Sequence, residues 1–234
     1  MQRRHFSAAL GAPVFMALLL QARMAQAQGL AGITELDASR GLKTALELGA
    51  STAVKLLGAP GGFLSNPRVH IPLPGYLQDA SKLLKVMGMG PRLEELEVAM
   101  NRAAEAAVPM ASNLLMDAAR NLSVSDARKI LTGGETSVTQ FFADKTRTPL
   151  TTSFLPVVRK ATAQVALAEK VDRVTKKGAS MGLVKPEDAT IDHYVTRKSL
   201  DGLYLVIGEE ERRIRRDPVG TGSAILGKVF GALR

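Results

Sequence analysis

Leu42-Lys-Thr-Ala-Leu-Glu-Leu-Gly-Ala-Ser-Thr-Ala-Val-Lys-Leu-Leu-Gly58 sets Leu42, Ala45, Leu46, Gly49, Ala53, Val54 and Leu57 three and four residues apart. That spacing aligns them on one face of an α-helix, and the small residues among them let a neighbouring helix come close. Gly58 then stops the run. The same period returns along the chain, and no stretch shows the two-residue alternation of a half-buried strand. The sequence therefore predicts an all-α fold.

Outward from this helix, residues 58 to 75 hold four glycines and the four prolines Pro60, Pro67, Pro72 and Pro74, so they cannot be regular helix. A second helix is expected after Pro74, with Tyr76, Leu77, Ala80, Leu83, Leu84 and Met87 turned inward, ending at Gly88 or Gly90. Pro91 suits the first turn of a longer helix. That helix reads Leu93, Leu96, Met100, Ala103, Ala107, Met110 and Leu114 to about Asn121, with a kink or break at Pro109. Ser123-x-x-Asp126 caps a short helix that Gly133-Gly134 closes.

Another short helix is expected from Val138 to about Lys145. A long stretch then runs from Pro149 to Lys177, its first part broken at Pro156. Beyond a linker at 178–190, Asp192 as N-cap leads into a helix carrying Tyr194, Val195, Leu200, Leu203, Tyr204 and Ile207. Ile225, Leu226, Val229, Phe230 and Leu233 form a last amphipathic segment. Residues 28–234 read as a single compact multi-helix domain without internal repeats.

The first 27 residues read as a cleaved signal peptide. Arg3-Arg4 is followed by a mostly apolar run from Phe6 to Leu20, and Ala25-Gln-Ala27 is a small-x-small cleavage site. The run falls short of the ~20 residues that span a bilayer, so a retained anchor is disfavoured. Arg3-Arg4-His5-Phe6 also resembles the core of a twin-arginine export signal, with an ordinary secretory leader as the alternative. The mature chain is expected in the periplasm, and no later segment is a membrane-span candidate.

Composition narrows the partners. The leader carries three arginines and no acid, so its loss takes the net charge from +9 to +6. Aromatic residues are only 4 % of the chain and tryptophan is absent, which leaves little for base stacking and argues against nucleic acid. A solvated basic surface, or one attracted to anionic head groups, fits better. There is no cysteine, hence neither a disulfide nor a lipid-anchoring cysteine.

The leader aside, His70 and His193 are the only histidines, too few for a zinc site, and no metal or cofactor is expected. No Gly-x-Ser-x-Gly elbow and no phosphate-cradling glycine loop occurs. The best polar constellation is Glu97, Asn101 and Glu105, four residues apart on one helix face, with Arg102 beside them. One reading is a hydrogen-bond network that fixes helix register, another a solvated face. A third is chemistry: beside Asp201 or Glu209 of the late helix, the pair Glu97 and Glu105 could hold a divalent cation or hydrolyse a substrate.

The stiff apolar loop from Gly61 to Pro74 suggests the lip of a groove for a lipid or peptide, or else an irregular connector packed over the core. In the groove reading Phe63, Asn66, Ile71 and Leu73, with Asn101 and Arg102, are the ligand contacts. The favoured function is a non-catalytic binding or scaffold protein for an amphiphilic envelope molecule or an envelope protein. The alternative is a metal- or carboxylate-dependent hydrolase using Glu97, Glu105 and Asp201.

Four stretches together carry a resemblance: Gly41-Leu-Lys-x-Ala-Leu with Gly49; Gly61-Gly-Phe-Leu-x-Asn-Pro67 running into Ile71-Pro-Leu-Pro74; Met100-Asn-Arg-Ala-Ala-Glu-Ala-Ala107; and Tyr194-Val-Thr with Leu200-Asp-Gly-Leu-Tyr204 and Glu209-Glu-Glu211. In these the chain resembles the exported bacterial proteins grouped as domain of unknown function 4197, over nearly the whole mature length. The resemblance implies a helical envelope protein and transfers no activity. Some members look lipid-anchored, and this chain departs from them in lacking the cysteine.

Overall fold

The computed structural model describes residues 35–134, 136–180, 190–221, 223, 224 and 226. Among these residues the regular structure is helical, with no strand. The helices are α1 (Glu35–Gly58), α2 (Gly75–Val86) and α3 (Gly90–Ala107), then a 3-10 turn (Val108–Met110) leading into α4 (Ala111–Arg120). They continue with α5 (Val124–Thr132), α6 (Ser137–Thr162), α7 (Ala166–Ser180) and α8 (Ile191–Arg216). The expected leader, residues 181–189 of the linker expected at 178–190, and the terminal residues Ile225, Val229, Phe230 and Leu233 lie outside the described residues, whereas residues 178–180, expected in that linker, continue α7.

α8 organises the core. Its broadest contacts are with α6 and α1, and it also meets α3; α3 packs on α6, and α1 on α4. Val195, Leu200, Leu203, Tyr204, Val206 and Ile207 are buried on it, against a core that includes Leu42, Leu46, Leu57, Leu96, Met100 and Phe154. Gly49 of α1 lies at the α1–α8 contact, where a β-carbon would meet Glu210 Cβ at 3.7 Å. The all-α expectation holds. So do the stop at Gly58, the break at Pro109 and the capping box of Ser123 and Asp126.

Between residues 137 and 162 the sequence misleads. α6 runs unbroken through Pro149 and Pro156, where a gap and a break were expected. Each proline removes one i→i−4 hydrogen bond, the partner carbonyls being those of Lys145 and Thr152. Both prolines and both of these residues are exposed, so water can serve the freed carbonyls. On the opposite face Phe142, Thr146, Leu150, Phe154, Val158 and Thr162 recur every fourth residue and are buried. Each large apolar side chain there is worth about 1.5–3 kcal/mol of burial, and together they outweigh a cost of ~3 kcal/mol per proline. The buried Thr146 hydroxyl is satisfied by Phe142 O at 2.6 Å and Tyr204 Oη at 2.9 Å.

Three smaller expectations are corrected. Thr190, not Asp192, caps α8: its hydroxyl accepts from His193 N. Asp192 is the second residue of the helix, within its first turn, and binds Arg159 Nε at 2.8 Å. Burial pushes the Asp192 carboxyl up, but hydrogen bonds from Thr190 and Arg159 and the charges of His193 and Arg159 hold it below its ordinary value. Met110 is exposed at the 3-10 turn. On α2 only Leu77 is buried, while Leu83 and Met87, expected inside, face outward.

Replacing Pro149 or Pro156 by alanine is expected to stabilise the fold by about 1–3 kcal/mol each, because the missing hydrogen bond returns and no core contact is lost. The looser unfolded chain offsets a part of this gain. Urea unfolding at constant m-value measures it; a fall in the midpoint for both variants would mean that the prolines themselves hold the helix.

Candidate functional site

The chain from Ala59 to Pro74 is a series of tight turns laid over α3 and α8. Gly62 N donates to Ala59 O, Ser65 N to Gly61 O, and Val69 N and His70 N to Asn66 O. Gly61 has φ +85°, which favours glycine. A β-carbon on Gly62 would lie 2.5 Å from the carbonyl oxygens of Leu56 and Leu57. Asn66 Oδ1 accepts from Arg68 N at 3.2 Å, an Asx turn.

Glu97, Asn101 and Glu105 face this segment from α3, and the four-residue spacing read in the sequence is what brings them there. Glu105 is buried. Its Oε1 accepts from Phe63 N at 3.1 Å and Leu64 N at 3.0 Å, and its Oε2 from Arg102 Nη1 at 2.7 Å. Burial alone would raise its pKa, but the backbone N–H groups of Leu64, Phe63 and Gly61 together with Arg102 hold it below the ordinary value.

Asn101 is buried and binds Ile71 as a strand would. Its Oδ1 accepts from Ile71 N at 2.8 Å and its Nδ2 donates to Ile71 O at 2.9 Å. Glu97 Oε1 meets His70 Nε2 at 2.7 Å, while His70 Nδ1 lies 3.1 Å from Leu64 O.

α8 completes the hold. Tyr194 Oη donates to Pro72 O at 3.1 Å, and Arg68 Nη1 pairs with Glu209 Oε2 at 2.6 Å. Gly202 leaves room for the loop's apolar anchors: a β-carbon there would lie 2.9 Å from Phe63 Cε1 and 3.2 Å from Val69 Cβ.

The sequence-derived candidates thus divide. Phe63 and Ile71 are buried in the core and anchor the loop, while Leu73, also buried, lines a cleft beside it. Asn66 shapes a turn, and Asn101, Arg102, Glu97 and Glu105 secure the segment. Asp201 is not joined to the two glutamates; it is partly exposed and pairs with Arg147 at 2.9 Å and Arg197 at 3.6 Å. Among the described residues no group of three or more His, Asp or Glu side chains is arranged to hold a metal ion.

Two clefts bear on ligand binding. One, of about 400 Å³, lies beside the loop between α2 and α3, lined by Pro72, Leu73, Leu93, Gln78, Ser81, Lys85, Glu94 and Glu97. Its floor is apolar and its rim polar. The other, about 560 Å³, lies between α6, α7 and α8 and is dominated by polar and charged groups, Arg159, Glu169, Asp172 and Asp192 among them. Sequence reasoning reached Leu73 and Glu97 of the first cleft but missed Gln78, Ser81 and Lys85. Their i, i+3, i+7 spacing, a polar stripe on a helix read only for its apolar positions, was the available signal.

Residues 32–231 match the model of a family described as "Protein of unknown function (DUF4197)", and the chain belongs to that family. No curated protein and no solved structure matches it.

Glu105→Gln should cost about 2 kcal/mol or more, since the amide cannot accept from the loop and from Arg102 at once without turning a donor toward one of them. The sign in pH follows from the lowered carboxyl. Its stabilisation is complete above about pH 4.5, the ordinary value, and is lost as pH falls through the lowered one. Acid unfolding of the Gln variant should lack that part of the slope. Asn101→Leu, which strands the buried N–H and C=O of Ile71, should cost about 2–4 kcal/mol in the same assay. Unchanged midpoints for both variants would mean that the network does not hold the loop.

Proposed function

We propose that this member of the family is an exported, non-catalytic binding protein that holds an amphiphilic envelope molecule in the cleft between α2, α3 and the 59–74 segment. The leader at 1–27, cleaved near Ala27, supports export to the periplasm. The observation that carries the reading is the occupation of the carboxylates. Glu105 and Glu97 are engaged by the chain's own backbone, Arg102 and His70, and Asp201 by two arginines. A hydrolase would need one of them free to reach a substrate or a water.

The cleft beside the 59–74 segment, with its apolar floor, suits an amphiphile better than the more polar cleft between α6, α7 and α8. Its volume of about 400 Å³ falls within the range of small-molecule sites, with Leu73 and Leu93 below and Gln78, Ser81, Lys85 and Glu94 at the rim. An acyl or other apolar chain suits the floor, and a polar or anionic head suits Lys85.

Native mass spectrometry of the protein recovered from the periplasm, with organic extraction, tests this. The expected result is an amphiphile retained near one per chain, and its loss in Ser81→Trp, which fills the cleft from a position outside the core. Equal retention by this variant would exclude the cleft, and a bare wild-type chain that takes up none of a cell-envelope lipid extract would exclude the reading.

A further inference from the structure

The turn between α2 and α3 is the least covered apolar surface of the described residues. Leu83 is 66 % exposed, Val86 87 % and Met87 65 %. The three lie at i, i+3 and i+4 and form one face at the end of α2. A helix at a protein surface would ordinarily turn such a face inward, and the sequence alone predicts that for Leu83 and Met87. Instead α2 rests on α3 through Leu77, with Tyr76 and Leu84 partly buried. Gly88, with φ +76°, and the Gly90-Pro91 pair then reverse the chain into α3, so the apolar face stands at a projecting tip.

The charge around the tip is one-sided. Residues 82–92 carry Lys82, Lys85 and Arg92 and no carboxylate; Asp79, Glu94 and Glu95 lie farther back along the two helices. Lys82, Lys85 and Arg92 are exposed and, among the described residues, none makes an ion pair. We propose that this tip, Leu83, Val86 and Met87 ringed by Lys82, Lys85 and Arg92, docks the protein on the surface of an anionic phospholipid bilayer.

Apolar side chains that enter the head-group boundary, with cations at the level of the phosphates, are the chemistry of interfacial binding. A second copy of the chain fits less well. A two-fold contact through this patch would set Lys82, Lys85 and Arg92 against their own counterparts. The proposal does not depend on the ligand cleft, although Lys85 belongs to both and docking would bring the cleft mouth to the bilayer.

The test uses the exported chain, its N-terminus read by mass so that no apolar leader remains. The chain lacks tryptophan, so Val86→Trp supplies a unique reporter at the most exposed position. Vesicles of phosphatidylethanolamine and phosphatidylglycerol should shift its emission to the blue, and phosphatidylcholine vesicles should not. In co-sedimentation, Leu83→Ser with Val86→Ser and Met87→Ser, and separately Lys82→Glu with Lys85→Glu and Arg92→Glu, should each lower partitioning about tenfold or more. Their melting temperatures should stay at the wild-type value, because every substituted side chain is exposed. Wild-type partitioning by either folded variant overturns the proposal. So does equal binding to neutral vesicles, or a dimer in ultracentrifugation that the serine variant dissolves while wild type ignores vesicles.

Discussion

A carboxylate taken out of water must find its compensation within the protein, and Glu105 finds it in the backbone of a segment more than forty residues earlier in the chain. Its oxygens accept from two consecutive amides and from Arg102, which makes an irregular, proline-rich stretch as fixed as a helix. With that segment in place, Phe63, Val69 and Ile71 can enter the core, Gly202 must stay without a side chain, and α2 starts where Pro74 delivers it. The polar triad read along α3 is therefore structural scaffolding for the 59–74 segment, and its place next to the cleft gives that cleft a rigid wall.

Rigidity and looseness meet at α2. On one side the loop is tied to α3 and α8 by hydrogen bonds and an ion pair. On the other, α2 buries a single leucine among its described residues and takes its main helix contact from α3. Helices with so few apolar contacts open at lower free energy than the core that carries them. In the proposed reading, a cleft with one firm wall and one yielding wall admits an elongated apolar guest without disturbing the bundle.

Much of this was legible in the residues. The period of Leu42 to Leu57 and the glycine after it gave α1, Ser123 and Asp126 gave the start of α5, and Pro109 gave the turn after α3. These signals are local, and local geometry satisfies them. Where tertiary burial decides, the reading failed. Pro149 and Pro156 look like breakers until one knows that they lie on the wet side of a helix whose other side is packed. Leu83 and Met87 look like core until one knows that nothing described covers them. At the site, the spacing of Glu97, Asn101 and Glu105 was visible, and so was the stiffness of the loop. Their meeting was not, because no pattern within either stretch encodes a partner some thirty or forty residues away.

The ties of the 59–74 segment to α8 also set an order of events in folding. Tyr194 reaches Pro72 across 122 residues and Arg68 reaches Glu209 across 141. Contacts of such sequence separation form only after a large loop has closed, and they slow the search for the native state. A chain emerging from the ribosome can wind α1, α3 and the α3–loop clamp early, yet its proline-rich segment stays open on one flank until α8 has been synthesised. Native assembly of this region is thus deferred until α8 is present to receive it, and any machinery that recognises unfinished chains has that whole interval in which to act.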